Sequence, residues 1–302
     1  MFLHIHTEDI KKYYKRLFGI LSAVLSYFLF ALSNILTKFV SNMTMGEVMC
    51  VRQFVIFIIA IVYFSITKEI FEIYKTSRLS THFWRGFYGY ANSYLTLVAM
   101  LFLPVAEASS LSYTHGIFMV FLTPLFLKDK VSAMLALYVL IGFVGVIFIS
   151  NPSNGAFNIK GCFCGLLAGL LMAFSVLYVK LLSSTESIKT TLFYFAIITF
   201  LLSLIPLLFE TSGSWSSSDI WYSIWVGLAG AAGQVFLTIS IFCVSPTTTA
   251  VISYSSMIWT TVLGYLIWNE IPGINFYIGS ALIIYAGIAS TIHKLKSSRI
   301  RV

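Results

Sequence analysis

Residues 82–103 read HFWRGFYGYANSYLTLVAMLFL, a stretch that opens with a histidine and an arginine and carries glycines, tyrosines and an asparagine before it turns apolar. Arg85, Tyr88, Asn92, Thr96 and Ala99 recur at helical spacing and share one face. Lipid offers no hydrogen bond to the Asn92 amide, so this face must look at protein or water. Such a helix belongs inside a bundle of membrane spans, with its polar side turned to the centre.

The rest of the chain supplies the bundle. Of 302 residues, 59% are hydrophobic, 17% aromatic and 10% charged, whereas soluble domains carry about a quarter charged residues. A spanning helix needs roughly 20 apolar residues. Ten such runs can be marked, at 17–37, 46–66, 83–103, 106–126, 133–150, 161–181, 190–209, 220–242, 247–268 and 274–292. They do not alternate in the short pieces of barrel strands, so the expected fold is an all-α polytopic membrane protein of ten transmembrane helices. The first run is too long for a signal-peptide core and no small-residue cleavage site follows it; it reads as a retained helix. Cys50, Cys162, Cys164 and Cys243 lie in or beside apolar runs and read as packing residues rather than disulfides or metal ligands. No cofactor is expected.

The net charge of +8 is distributed as a topology signal. With the N-terminus inside, the inner segments hold Lys11, Lys12, Lys15, Arg16, Lys68, Lys75, Arg78, Lys128, Lys130, Lys180, Lys189, Lys294, Lys296, Arg299 and Arg301. The outer segments hold Lys38 and Lys160, while Arg52 and Arg85 lie within helices. Such an excess places both termini in the cytoplasm and argues against a nucleic-acid partner.

Sliding the chain against itself by 142 residues puts Gly19, Leu25, Ala31, Ser33, Lys38 and Ser41 on Gly161, Leu167, Ala173, Ser175, Lys180 and Ser183. The same shift aligns Asn92 with Gln234, Thr96 with Thr238 and Pro104 with Pro246. A shift of 141 then aligns Tyr113 with Tyr254 and Asp129 with Glu270. Residues 17–150 and 161–293 thus read as two five-helix repeats, between a basic N-terminus (1–16) and a basic tail (294–302). An odd number of helices inverts the second repeat in the bilayer. Inverted repeats around a central midplane cavity are a recurring architecture of secondary transporters.

Several stretches carry a family resemblance: Glu47…Arg52-Gln53-Phe54, Arg85-Gly86, Gly230-Ala-Ala-Gly233-Gln234, and Tyr254…Gly264…Asn269-Glu270-Ile271-Pro272-Gly273. Over about residues 15–293 the chain resembles the EamA-type ten-helix members of the drug/metabolite transporter superfamily. Lys38, Lys180, His82…Arg85-Gly86 and Asn269-Glu270…Pro272 look most like the branch that includes S-adenosylmethionine uptake proteins. Ser255, Ser256 and Met257 depart from that branch, where more charge is expected. The resemblance implies that helices 1, 3, 4, 6, 8 and 9 surround the cavity, with 5 and 10 peripheral. It also implies a bacterial inner-membrane location and cargo such as amino acids, nucleotides, vitamins or S-adenosylmethionine.

The candidate substrate-binding residues are Arg85, Tyr88, Asn92, Tyr113, His115, Gln234, Thr238 and Tyr254. Asn92 and Gln234 sit at one depth of the two repeats, either as partners of a polar substrate or as a helix–helix bond. Arg85 reads as snorkelling to headgroups or as guarding the cavity mouth. Arg52, with Glu47 five residues before it, reads as a structural salt bridge or a headgroup contact ahead of a substrate contact. His115 is a proton carrier or substrate partner, or else a neutral ring satisfied by a nearby hydroxyl such as Ser112 or Tyr113. Tyr113 and Tyr254 stack on a ring-bearing substrate or pack the core. Glu107 and Glu270 suit helix ends. Gly161, Gly165 and Gly169 form a ridge for close packing within the monomer or in a homodimer.

An intramembrane enzyme would need a nucleophile elbow, paired metal ligands or deep carboxylates, and no such pattern is present. The remaining rival is a non-transporting membrane subunit or lipid-binding protein, which predicts a dry centre. Lacking an ATP-binding loop, a transporter of this sequence would run on a gradient or by exchange.

Overall fold

Short polar side chains set where the helices begin. In the computed structural model, which describes residues 2–67, 76–126, 133–150, 158–210, 213–269 and 271–299, Thr44 and Glu47 close a capping box on α2 (Met45–Ile66). Ser216 and Asp219 do the same for α9 (Ser217–Cys243). Asn158 caps α7 (Ile159–Leu182), Ser187 caps α8 (Ile188–Ser203), and Ser245 with Pro246 starts α10 (Pro246–Ser253). The other helices are α1 (Phe2–Thr37), α3 (Leu79–Met100), α4 (Val105–Ser112), α5 (His115–Phe126), α6 (Ala133–Ser150), α11 (Ser255–Trp268) and α12 (Ile274–Arg299). Lys68, Lys75, Lys128, Asp129, Lys130, Glu270 and Arg301, used in the charge and repeat assignments, lie outside the described residues.

Six segments of the described residues are long and apolar enough to cross a bilayer: 13–37, 45–66, 159–182, 188–208, 217–243 and 248–268. Shorter apolar stretches lie in α6 and α12. α3 is not among the six, and its composition explains why: His82, Arg85, Gly86, Gly89, Asn92 and Thr96 are all buried along it. Large apolar side chains such as Ile66, Leu140, Ile147, Leu208 and Phe209 instead cover the outside, as a lipid-facing surface requires.

Two runs expected to be continuous are each broken in the middle. α4 gives way to α5 at Tyr113-Thr114, and α10 to α11 at Tyr254. Side-chain hydroxyls accompany both breaks: Thr114 donates to the Leu111 carbonyl at 2.6 Å and Ser253 to the Ala250 carbonyl at 2.7 Å. The backbone there tightens to three-residue closures, Ile117 N–H to Thr114 O and Met257 N–H to Tyr254 O. The breaks fall on the two tyrosines aligned by the repeat shift.

Packing follows the same exchange of halves. α1 lies antiparallel along α9, with Ser26 donating to the Gly233 carbonyl at 2.7 Å and Ser33 to the Val226 carbonyl at 3.0 Å. Its counterpart pair is α3 with α7, tied by Asn92 to the Ala168 carbonyl at 2.9 Å. α4 meets α11, and α5 meets α10. α2 pairs with α8, and α6 with α12. The glycine ridge of α7 serves this packing: a methyl on Gly165 would come within 2.7 Å of Leu111 Cβ, and one on Gly161 within 2.7 Å of Leu103 Cγ. The ridge therefore seats α4 and the turn before it, inside the monomer.

Candidate functional site

Where α1, α2, α3, α4, α7 and α9 converge they leave a cavity of about 50 Å³ walled by polar and apolar side chains together, room for a few water molecules. Phe30 and Asn34 of α1, Arg52 of α2, Asn92, Ser93 and Thr96 of α3, and Ser112 and Tyr113 at the α4 break line one part of it. Met172, Ser175 and Val176 of α7 and Gln234, Leu237 and Ile241 of α9 line the rest. Three pairs in this wall are repeat-equivalent: Phe30 with Met172, Asn34 with Val176, and Asn92 with Gln234. The two halves of the chain thus contribute the same three helical registers to one space.

Asn92 is held from behind. Its Nδ2 donates to Ser112 Oγ at 3.1 Å and to the Ala168 carbonyl at 2.9 Å, which leaves Oδ1 as the atom it offers to the cavity. Thr96 Oγ1 donates to the Asn92 carbonyl at 2.9 Å and lies against Ser112 Oγ at 3.1 Å, extending the same network. Asn92 and Gln234 share the cavity without being each other's partner. Asn34 donates to Ser109 Oγ at 3.3 Å, which ties α1 to α4 beside the cavity.

Arg52 corrects the expectation of a structural ion pair. Glu47 accepts from the Thr44 and Gly213 backbone N–H groups at 2.8 and 3.3 Å, so its carboxylate is spent on the α2 terminus and a loop. Arg52 instead lies buried across Gly230, where a methyl would come within 2.8 Å of its Nε. That Nε has no hydrogen-bond partner. Sequence reasoning undervalued Arg52; the signal that could have found it is Gly230, a residue small enough to admit a long side chain one turn before Gln234.

The other expected site residues spread out. Arg85 is fully buried rather than snorkelling. Its Nη2 donates to Thr238 Oγ1 at 3.3 Å and its guanidinium lies 3.9 Å from the centroid of Phe195, while Nε and Nη1 have no partner. Arg85 and Thr238 therefore form a second polar point beyond the cavity wall, one turn past Gln234 on α9. Tyr88 turns away into a stack with Trp84, Phe174 and Tyr178. Gly89 takes its place on the inner face, because the missing side chain lets Phe195 and Ser175 approach. His115 is fully buried outside the cavity, stacked on Tyr27 at 6.4 Å, with neither ring nitrogen hydrogen-bonded. Tyr254 packs its ring against Gly116 of α5 and Gly287 of α12 and does not reach the cavity. Helix 9 of the expected ring is accordingly replaced by helix 2, through Arg52.

On the other side of Gln234, an apolar groove of about 380 Å³ runs between α2, α8 and α9, lined by Ile56, Ala60, Phe64, Leu192, Phe195 and Ala231 among others. Gln234 lines both spaces.

Known proteins match this chain over most of its length. The model of the EamA-like transporter family matches twice, at residues 17–151 and 159–292. The pseudopaline exporter CntI of Pseudomonas aeruginosa is 25% identical over 273 residues, spanning 90% of this chain and 95% of the exporter. An S-adenosylmethionine uptake transporter of Rickettsia prowazekii is 26% identical over 223 residues, spanning 74% of this chain and 75% of that one. A solved crystal structure with 18% sequence identity superposes with a TM-score of 0.66 over 95% of this chain and 99% of the other, a likeness of fold. With a polytopic helical bundle and a double match to one family model, the chain belongs to the EamA-like transporter family.

Proposed function

We propose that this protein is a secondary transporter that carries a small polar organic metabolite across the bacterial inner membrane through the cavity between its halves. The observation that carries the reading is the presence of Asn92 and Gln234, carboxamides at the same repeat register, in the wall of one cavity. Near-equivalent halves can exchange conformations, opening a shared midplane site first to one side and then to the other. With about 50 Å³ between them, the walls must part before a metabolite enters, which is what alternating access requires. Relatives named for pseudopaline export and S-adenosylmethionine uptake support an organic cargo, in either direction.

The test is uptake of labelled metabolites into liposomes holding the purified protein, with and without a pH gradient. Asn92→Ala and Gln234→Ala are each expected to lower transport at least about tenfold, the worth of a hydrogen bond or two at the substrate. Normal rates in both variants would remove the cavity from the reading.

A further inference from the structure

We propose that the transported molecule carries a carboxylate, and that Arg52 and Arg85 are two successive anchoring points for it. The inference rests on the transport reading and adds the chemistry of the cargo.

The two guanidiniums bracket the site along α9. Arg52 crosses at Gly230, Gln234 follows one turn on, and Arg85 bonds to Thr238 one turn further. The eight residue steps from Gly230 to Thr238 span about 12 Å of helix axis, so the cations stand on either side of the Asn92–Gln234 level. Arg52 and Arg85 enter from different helices, α2 and α3, and both are at least nine-tenths buried.

Neither is neutralised. Among the described residues, no ion pair forms at either guanidinium. Arg85 has two nitrogens without a partner, Arg52 has one, and the titratable neighbour of Arg52 is the Tyr113 phenol. Glu107, the buried acid of α4, leaves Oε2 without a partner and serves neither cation. The Phe195 face relieves Arg85 in part. A buried, unpaired charge is costly to keep in a membrane protein, and such residues line the paths of ions and charged substrates. A guanidinium presents a fork that matches a carboxylate, and the Tyr113 hydroxyl beside Arg52 supplies a further donor. In the present arrangement Arg52 reaches the cavity and Arg85 stands behind Gly89 and Phe195. A shift of α3 against α9 that opens the other side of the cavity would make the second point the nearer one.

The experiment uses the full-length protein in liposomes and matched pairs of labelled compounds that differ by one carboxylate. The pairs are tyrosine and tyramine, histidine and histamine, and S-adenosylmethionine and its decarboxylated form. The acid member of at least one pair is expected to move at least about tenfold faster than its amine. Arg52→Gln should abolish that preference and weaken binding of the same acid, read by scintillation proximity. Arg85→Gln should keep the binding and slow exchange at least about tenfold. If Arg85→Gln does not run as a single species on gel filtration, Arg85→Lys decides: slowed exchange with the acid preference kept supports the second anchor, and unchanged exchange overturns it. Amines that move as fast as or faster than their acids in every pair overturn the inference and leave transport standing. If no compound of either kind moves, the transport reading falls and takes this inference with it.

Discussion

Tyr113 and Tyr254 hold equivalent places in the two halves and face different surroundings. Tyr113 borders the cavity, whereas the Tyr254 hydroxyl is buried against glycines without a hydrogen-bond partner. Tyr113→Phe should therefore weaken apparent substrate affinity about three- to tenfold, the worth of one hydrogen bond. Tyr254→Phe should leave affinity unchanged and the melting temperature equal or higher, since it removes an unsatisfied buried hydroxyl. Uptake and thermal melting of the two variants side by side check this, and a larger transport defect in Tyr254→Phe would reverse the assignment. Residue positions were legible in the sequence where chemistry and repeat register agreed, as at Asn92 and Gln234, two carboxamides that line one cavity. Arg52 was obscured because Glu47 stood at a plausible distance along the chain. Backbone donors at Thr44 and Gly213 had the stronger claim on that carboxylate, and sequence spacing does not reveal loop donors. Tyr88 misled for a related reason: it shares a helical face with Arg85 and Asn92, but the inner line runs through Gly89, which gives neighbouring helices room.

At the scale of elements, α6 and α12 meet backbone to backbone. A methyl on Gly145 would stand 2.7 Å from the Gly279 carbonyl oxygen and 3.0 Å from Ile283 Cγ1. Gly145→Val is thus expected to destabilise the protein by about 1–3 kcal/mol through overpacking. Neither helix lines the cavity, so uptake per folded molecule should stay near normal. Thermal melting in detergent, with uptake normalised to monodisperse protein, separates the two effects. Six of the ten runs could be read from apolar length alone, whereas α3 was legible only through the polar face it carries. The two breaks could not, because no proline interrupts the chain at Tyr113 or Tyr254. Thr114 and Ser253 bond back to the carbonyls three residues earlier, an alternative to the helical ladder that a hydropathy count does not register.

For the molecule as a whole, the pairings of α1 with α9 and α3 with α7 make each half the packing partner of the other. The arginine and lysine distribution then predicts one orientation, with both termini in the cytoplasm. A fluorescent protein fused to the C-terminus should fluoresce in a bacterial host, and alkaline phosphatase fused after Leu208 should be active. The opposite pattern in both would invert the proposed topology. The repeat register rests on a shift that stays constant across several helices, and the family model matches once in each half. The makeup of the cavity ring was only half visible, because side chains break the symmetry. Arg52 reaches the centre, while Tyr194, its counterpart at the same shift, stacks on His82 at 4.6 Å.

The broken fourth span bears on how the protein is made. α4 is eight residues, about 12 Å, too short to cross a bilayer alone. With the start of α5 it brings Glu107, Ser109, Ser110, Ser112, Thr114 and His115 into the membrane. Its companions are Asn34 of α1, already synthesised, and the glycine ridge of α7, which leaves the ribosome more than forty residues later. Such a polar segment gains little from lipid before its partners arrive. Biogenesis therefore has to shelter α4 until the second half is translated, so that folding of the first half waits on translation of the second.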